Sequence, residues 1–253
     1  MMKLTFLGTG TSIGVPEMLC GCPVCMSEDA RDKRLRSSAL IQTGSTSVLI
    51  DCGPDFRQQV MTYGLRHIDG VLVTHEHYDH VGGLDDLRPF TASGDVPVYA
   101  EKLVIDHLLE RIPYCFGDKK YPGTPKLVLC EIRPDQTFRI GDIEITPLRV
   151  MHGKLPVVGF RIGKMAYITD MKSFDDSEWK WLENLDTLVV NALHTKQHPT
   201  HQNVIEAVHF AEKVGAAHTW FIHMSHRVGL HAIVDAKLPE SMHFAYDGLT
   251  LEI

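Results

Sequence analysis

The stretch that decides the fold reads Gly70-Val71-Leu72-Val73-Thr74-His75-Glu76-His77-Tyr78-Asp79-His80. Its valine-rich opening reads as a buried strand. Four residues of metal-ligand type then fall within six positions. On an extended segment the side chains at i and i+2 point the same way, so His75 and His77 can grip one ion together. If the chain turns into a helix here, Asp79 and His80 swing round to face a second ion. Core packing gives no reason to gather such residues at a strand end.

Further ligand types follow other β-type runs. His152 comes after Ile143–Val150, Asp170 ends Met165–Thr169, and His223 closes Thr219–His223. With the first motif they make seven ligands, enough for two metal ions with positions left for water and substrate. Imidazole and carboxylate together suit Zn²⁺, Mn²⁺ or Fe²⁺.

Composition agrees with a metal site. There are 15 histidines among 253 residues, and 32 acidic against 25 basic side chains give a net charge of −7. A surface that tracks nucleic acid normally carries a basic excess, which is missing here. The proportions, 44% hydrophobic and 23% charged, are those of an ordinary globular chain, not a disordered or collagenous one. No apolar run approaches the roughly 18–20 residues of a membrane helix. The opening Met1–Gly8 is too short for a signal-peptide core and reads as a first strand. A cytoplasmic location and reduced cysteines are therefore expected.

Three of the six cysteines cluster as Cys20-Gly21-Cys22-Pro23-Val24-Cys25. A tetrahedral zinc wants a fourth ligand, and His226, three residues after His223, is the best candidate. Cys52, Cys115 and Cys130 are isolated and read as ordinary thiols. The basic run Arg31–Arg36 reads as a solvated turn beside the cysteine loop or at a cleft mouth.

Short β-type runs recur along the chain, with helical patterns at Asp55–Tyr63, Glu101–Glu110, Ser177–Leu185 and Asn203–Val214, the last with Thr200 as its N-cap. This mixture suggests an α/β sandwich with helices outside packed sheets. No linker or repeat divides it, so residues 1–253 are expected to form one domain, with 117–125 as an internal loop.

At these residues the chain resembles the metallo-β-lactamase fold superfamily, whose hallmark is H-x-H-x-D-H, and Asp51-Cys52-Gly53 falls in the family's order. The resemblance implies an αββα sandwich: two packed mixed sheets flanked by helices. It implies a first ion on His75, His77 and His152 and a second on Asp79, His80 and His223. Asp170 and a water or hydroxide would bridge them. The cysteine cluster with His226 resembles the structural-zinc site of the PhnP-like branch of cyclic phosphodiesterases. That branch implies two active-site Zn²⁺ or Mn²⁺ ions and one structural Zn²⁺. It implies a hydrolase opening a small cyclic phosphodiester, with Asp79 orienting the attacking hydroxide. His198, with His201 as the alternative, would act on the leaving group. Lys154 and Arg88 resemble phosphate-contacting cations of the branch. The expected partner is a small anionic phosphodiester, with no membrane or nucleic acid; a homodimer stays open. A tRNA 3′-end nuclease and a non-catalytic metal-binding module are the rival readings.

Overall fold

The β-branched runs pair into two seven-stranded sheets. The computed structural model describes residues 2–116 and 123–253; residues 117–122, most of the loop expected at 117–125, lie outside the described residues. The first sheet sets β1 (Lys3–Gly8), β2 (Ser38–Gln42), β3 (Ser47–Ile50), β4 (Gly70–Leu72), β5 (Val96–Ala100) and β6 (Leu127–Glu131) side by side in chain order. The second does the same with β7 (Phe138–Ile140), β8 (Ile143–His152), β9 (Leu155–Ile162), β10 (Met165–Ile168), β11 (Thr187–Asn191), β12 (His218–Ile222) and β13 (Met242–Phe244). The chain then returns to the first sheet, where β14 (Thr250–Glu252) pairs with β1. Both sheets are mixed. Each begins with antiparallel pairings and changes to parallel ones, at β3–β4 in the first and β10–β11 in the second.

Alternation along the strands builds the core between the sheets. Leu4 and Phe6 of β1, with Ile41, Val48 and Ile50, meet Ile145, Phe160, Tyr167 and Val189 of the second sheet. The outer faces are covered by helices, which run in the order α1 (Phe56–Tyr63), α2 (Tyr78–Val81), α3 (Lys102–Arg111), α4 (Val204–Val214) and α5 (His231–Asp235). Phe56 of α1 and Val104 and Leu108 of α3 pack on the first sheet. Ala207, Phe210 and Ala211 of α4 pack on the second. The layers are therefore helix, sheet, sheet, helix. Among the described residues, no helix is long and apolar enough to cross a membrane.

Three local expectations change. The N-cap of α4 is Asn203, not Thr200: Asn203 Oδ1 accepts the Glu206 N–H and Glu206 Oε2 accepts the Asn203 N–H, at 2.9 Å each. The 177–185 helix is a 3₁₀ segment over Asp176–Leu182. The run at 31–36 is not a solvated turn, because Asp32 and Arg34 are buried. Arg34 donates to Thr9 Oγ1 at 2.7 Å and to the Ala245 carbonyl at 2.6 Å, partners far away in sequence.

The carboxyl ends of the parallel strands deliver the residues that matter. Asp51 follows β3, His75 follows β4, Asp170 follows β10, and His223 follows β12. Ligand sites in open α/β sheets commonly lie beyond these strand ends.

Candidate metal centre

Past β4 the chain stays extended through His77, then turns into α2, so Asp79 and His80 are carried inward on its first turn. The result is a tight ring of imidazoles. His75 lies 4.6 Å from His77 and 4.2 Å from His80, centroid to centroid. His152 closes one side at 5.3 Å from His77, and His223 the other at 5.6 Å from His80. Asp170 stands between the two halves, with Oδ2 3.3 Å from His80 Nε2 and Oδ1 3.2 Å from His223 Nε2.

The hydrogen bonds behind these rings settle which nitrogen each presents. Thr74 Oγ1 donates to Asp51 Oδ2 at 2.9 Å, so it accepts from His75 Nδ1 at 3.0 Å. His80 Nδ1 donates to the same carboxylate at 2.7 Å. His152 Nδ1 donates to the Thr200 carbonyl at 2.9 Å. Ser37 Oγ donates to the Gly10 carbonyl and accepts from His223 Nδ1 at 3.3 Å. Four imidazoles thus have Nδ1–H anchored and Nε2 aimed inward, the arrangement by which metal-binding histidines are held.

The donor set fits divalent ions. His75, His80 and Asp170 bring ligand atoms within 4.8 Å of one another, as do Asp79, His80 and His223. His80 Nε2 is buried and makes no hydrogen bond, although Asp79 Oδ2 lies 3.1 Å away. Burial alone would lower the His80 pKa, but Asp170, Asp79 and Asp51 hold it well above the ordinary imidazole value. Burial drives His75 well below that value, with His80 adding to the effect. One proton on His80 therefore stands in for positive charge that ions would supply.

Backbone strain accompanies the cluster. Asp51, Asp170 and His223 all adopt the left-handed region, at φ 58°, 57° and 58°, an arrangement costing roughly 1–3 kcal/mol at each non-glycine position. Close approach supports them. A Cβ on Gly53 would lie 2.1 Å from the Asp79 carbonyl oxygen, and one on Gly83 would lie 2.1 Å from that of Gly53.

A second cluster forms at the N-terminal loop. The Sγ atoms of Cys20, Cys22 and Cys25 lie 3.2, 3.3 and 3.3 Å from His226 Nδ1. Three sulfurs around one nitrogen fit a tetrahedral zinc site. Glu17 Oε2 sits 3.0 Å from the other ring nitrogen. The backbone N–H of Cys25 is the main reason that the Cys22 thiol falls to about 6, favouring the thiolate that a metal needs.

Comparison with known proteins agrees with this geometry. A model of the beta-lactamase superfamily domain matches residues 46–224. The crystal structure of a protein described as a new diphosphatase from the PhnP family superimposes with a TM-score of 0.93 and 38% identity, over 100% of this chain and 97% of that one. This chain belongs to the PhnP-like branch of the metallo-β-lactamase superfamily. An octanoyltransferase of Porphyromonas gingivalis is 47% identical over 250 residues, covering 98% of the PhnP-like chain but 51% of that protein. The chain thus spans about half the length of this curated relative. Zinc-bound PqqB from Methylobacterium extorquens shares the fold, with a TM-score of 0.80 at 20% identity, over 99% of this chain and 100% of that one.

Against this PhnP-like frame, the residues singled out from sequence divide clearly. The seven ligand types converge, and so do the three cysteines and His226. The order of the two outer histidines is reversed. His201, not His198, stands against the centre, 4.4 Å from His152 and 5.1 Å from His223, with a buried, unpartnered Nδ1 3.7 Å from Asp170 Oδ1. His198 lies one ring further out, 5.1 Å from His201. Lys154 is exposed on the β8–β9 turn beside His152. Arg88 does not join the site. Its guanidinium donates to Asp85, and it lines a separate cavity with Phe56 and Phe90. Asp51, Thr74, Ser37 and Glu17 were not foreseen. Only Asp51 had a local signal, as a carboxylate closing an apolar strand.

Proposed function

We propose that this PhnP-like chain is a metal-dependent hydrolase of small anionic phosphodiesters, opening a cyclic ribose phosphate or a cyclic nucleotide. One observation carries the reading: overlapping ligand sets, joined through His80 and Asp170, bring His75, Asp79, His152 and His223 together, with His201 beside His152 and Asp170. His75, His77 and His152 would hold one ion, and Asp79, His80 and His223 the other, with Asp170 between. Two such ions supply positive charge for a phosphoryl group and lower the pKa of bound water toward about 7. Asp51 and Thr74 keep His75 and His80 in the required tautomer. His201, which burial holds neutral with a pKa of about 3, would be the side chain placed to contact a departing oxygen. His198 lies behind it. The Cys20–Cys25 loop would take a structural zinc, fixing His226 and with it the segment that carries His223.

A diphosphate linkage presents similar atoms to the same residues, and the full-length likeness to a diphosphatase supports testing it alongside. The deciding experiment is a panel of ribose 1,2-cyclic phosphate, 2′,3′- and 3′,5′-cyclic nucleotides, a diphosphate ester, precursor tRNA and an octanoyl ester. The expected result is turnover of a small phosphodiester, reduced by about a thousand-fold or more in His77→Ala and Asp170→Ala. Absence of turnover with every phosphodiester would sink the reading. Efficient maturation of precursor tRNA would move the assignment to a nuclease. Turnover of the octanoyl ester alone would give an acyl-ester hydrolase, the reading suggested by the octanoyltransferase relative.

A further inference from the structure

The histidines of the centre are not equally supported. Four of them are anchored through Nδ1, and His77 is not among these. Among the described residues, its ring has one hydrogen-bond contact, from Nδ1 to His75 Nε2 at 3.0 Å, and that partner belongs to the cluster itself. The position of His77 therefore depends on the backbone beside it, and α3 holds that backbone. Arg111, in the last turn of α3, donates through Nη1 to the Glu76 carbonyl at 2.7 Å. One turn earlier, His107 Nδ1 lies 3.6 Å from Glu76 Oε1. That is too far for a hydrogen bond, so the carbonyl carries the tie.

The other end of α3 reaches the second sheet. Glu101, its N-cap, accepts from both guanidinium nitrogens of Arg149 on β8, Nη1 to Oε2 at 2.7 Å and Nη2 to Oε1. Two-pronged pairs of this kind are the stronger ones, and this pair is mostly buried. Arg149 stands three residues before His152 on the same strand. The helix thus joins the segment that carries His77, beyond β4, to the strand that carries His152. These belong to different sheets, so an ion held by both needs their separation fixed. Asp79, His80 and His223 are pinned elsewhere. The Cys52 N–H donates to the His80 carbonyl and the Gly83 N–H to the Cys52 carbonyl, at 2.8 Å each, while Ser37 holds His223. Among the described residues, no hydrogen bond or ion pair of α3 reaches these three ligands.

We propose that α3 is a strap that sets the ligands of the first ion, with Arg111 and the Glu101–Arg149 pair as its positioning residues, and that it leaves the ligands of the second ion alone. This assignment rests on the two-ion reading given above and assigns the two positions separate supports.

The test reads Mn²⁺ affinity from the EPR signal of the free ion, because thiolates do not favour Mn²⁺ and the cysteine loop stays out of the titration. His223→Ala should leave the first ion and His77→Ala the second. Added to His223→Ala, Arg111→Gln and Glu101→Gln should each weaken the remaining ion about ten-fold or more; added to His77→Ala, they should change it by less than about two-fold. Arg111→Lys should recover part of the loss, since it keeps a donor for the carbonyl. Lys102→Ala, which breaks an exposed pair with Asp106 on the same helix, should change neither ion. Weakening of the second ion as much as the first would reduce α3 to general support and overturn the strap, and so would weakening of neither. If His223→Ala and His77→Ala do not each remove one ion, the two-ion reading has failed separately. Imidazole NMR of the metal-free protein then decides the strap. Shifts of the His77 and His152 signals in Arg111→Gln, with that of His223 unmoved, support it, and any other pattern overturns it.

Discussion

Asp51 is the residue on which most of the centre depends. It is fully buried and accepts from the Thr74 N–H, the Thr74 hydroxyl and His80 Nδ1. Through Thr74 it also sets the tautomer of His75. One carboxylate thus orients a histidine of each ligand set. Asp51→Asn keeps the shape but turns an amide N–H₂ toward donors that need an acceptor. Partners behind metal ligands are commonly worth 10–100-fold in affinity, so chelator competition should show Zn²⁺ binding weakened by about that factor. Affinity within about two-fold of wild type would remove Asp51 from this role. The proton on His80 makes a second expectation at this scale. Loading ions onto metal-free protein at neutral pH should release protons, because His80 must give its own up to bind. Titration in buffers of different ionisation enthalpy reads this directly, and uptake without proton release would contradict it.

At the scale of elements, α2, which carries Asp79 and His80, is held by contacts that only glycine permits. Gly53→Ala would drive a methyl into the Asp79 carbonyl, a backbone atom that cannot swing aside. Overpacking of this kind costs about 1–3 kcal/mol. Here it should also displace two ligands, lowering both Tm and metal content. The cysteine loop is a separate unit. Cys22→Ser should cost about one metal per chain of about three, with the paired ions largely kept; an unchanged count would show that no ion sits there.

These elements also show where sequence reading succeeds and where it stops. The run Thr187–Asn191 is legible because both faces are buried, so four of its five residues are apolar or β-branched. The motif at 75–80 is legible because four ligand types have no packing role at a strand end. β7 and β14 have three residues each, too few to show a period. The sequence favours His198 over His201 at the position before α4, and the fold places His201 nearer the centre. Which one faces the centre depends on the cap at Asn203, which frees Thr200 to turn its carbonyl to His152. Arg34 looked solvated because its partners Thr9 and Ala245 are 25 and 211 positions away. The contact of Glu17 with His226 is hidden for the same reason.

Over the whole molecule, the chain leaves the second sheet at β13 and crosses to the first at β14, and that crossing half-buries Asp247. Its Oδ1 accepts from Thr9 Oγ1 at 2.7 Å and its Oδ2 from the Leu35 N–H at 2.6 Å. Burial raises its pKa to about 6; the Leu35 N–H, Thr9 and the Arg34 charge oppose this without cancelling it. The unfolded chain offers an ordinary carboxyl near 3.9. Between about pH 4 and 6 the folded protein therefore holds the extra proton, and this group's contribution to stability falls as pH rises. A shift of about two units corresponds to about 3 kcal/mol, absent below pH 4 and complete above pH 6. Asp247→Asn cannot titrate, so it removes this pH dependence while keeping an acceptor. Urea unfolding of both proteins at pH 4.5 and pH 7 isolates the effect, since every other titrating group is common to the two. Relative to the variant, wild type should lose about 2 kcal/mol of stability over that interval. Parallel curves would mean that Asp247 is ionised throughout, with Arg34 compensating its charge fully.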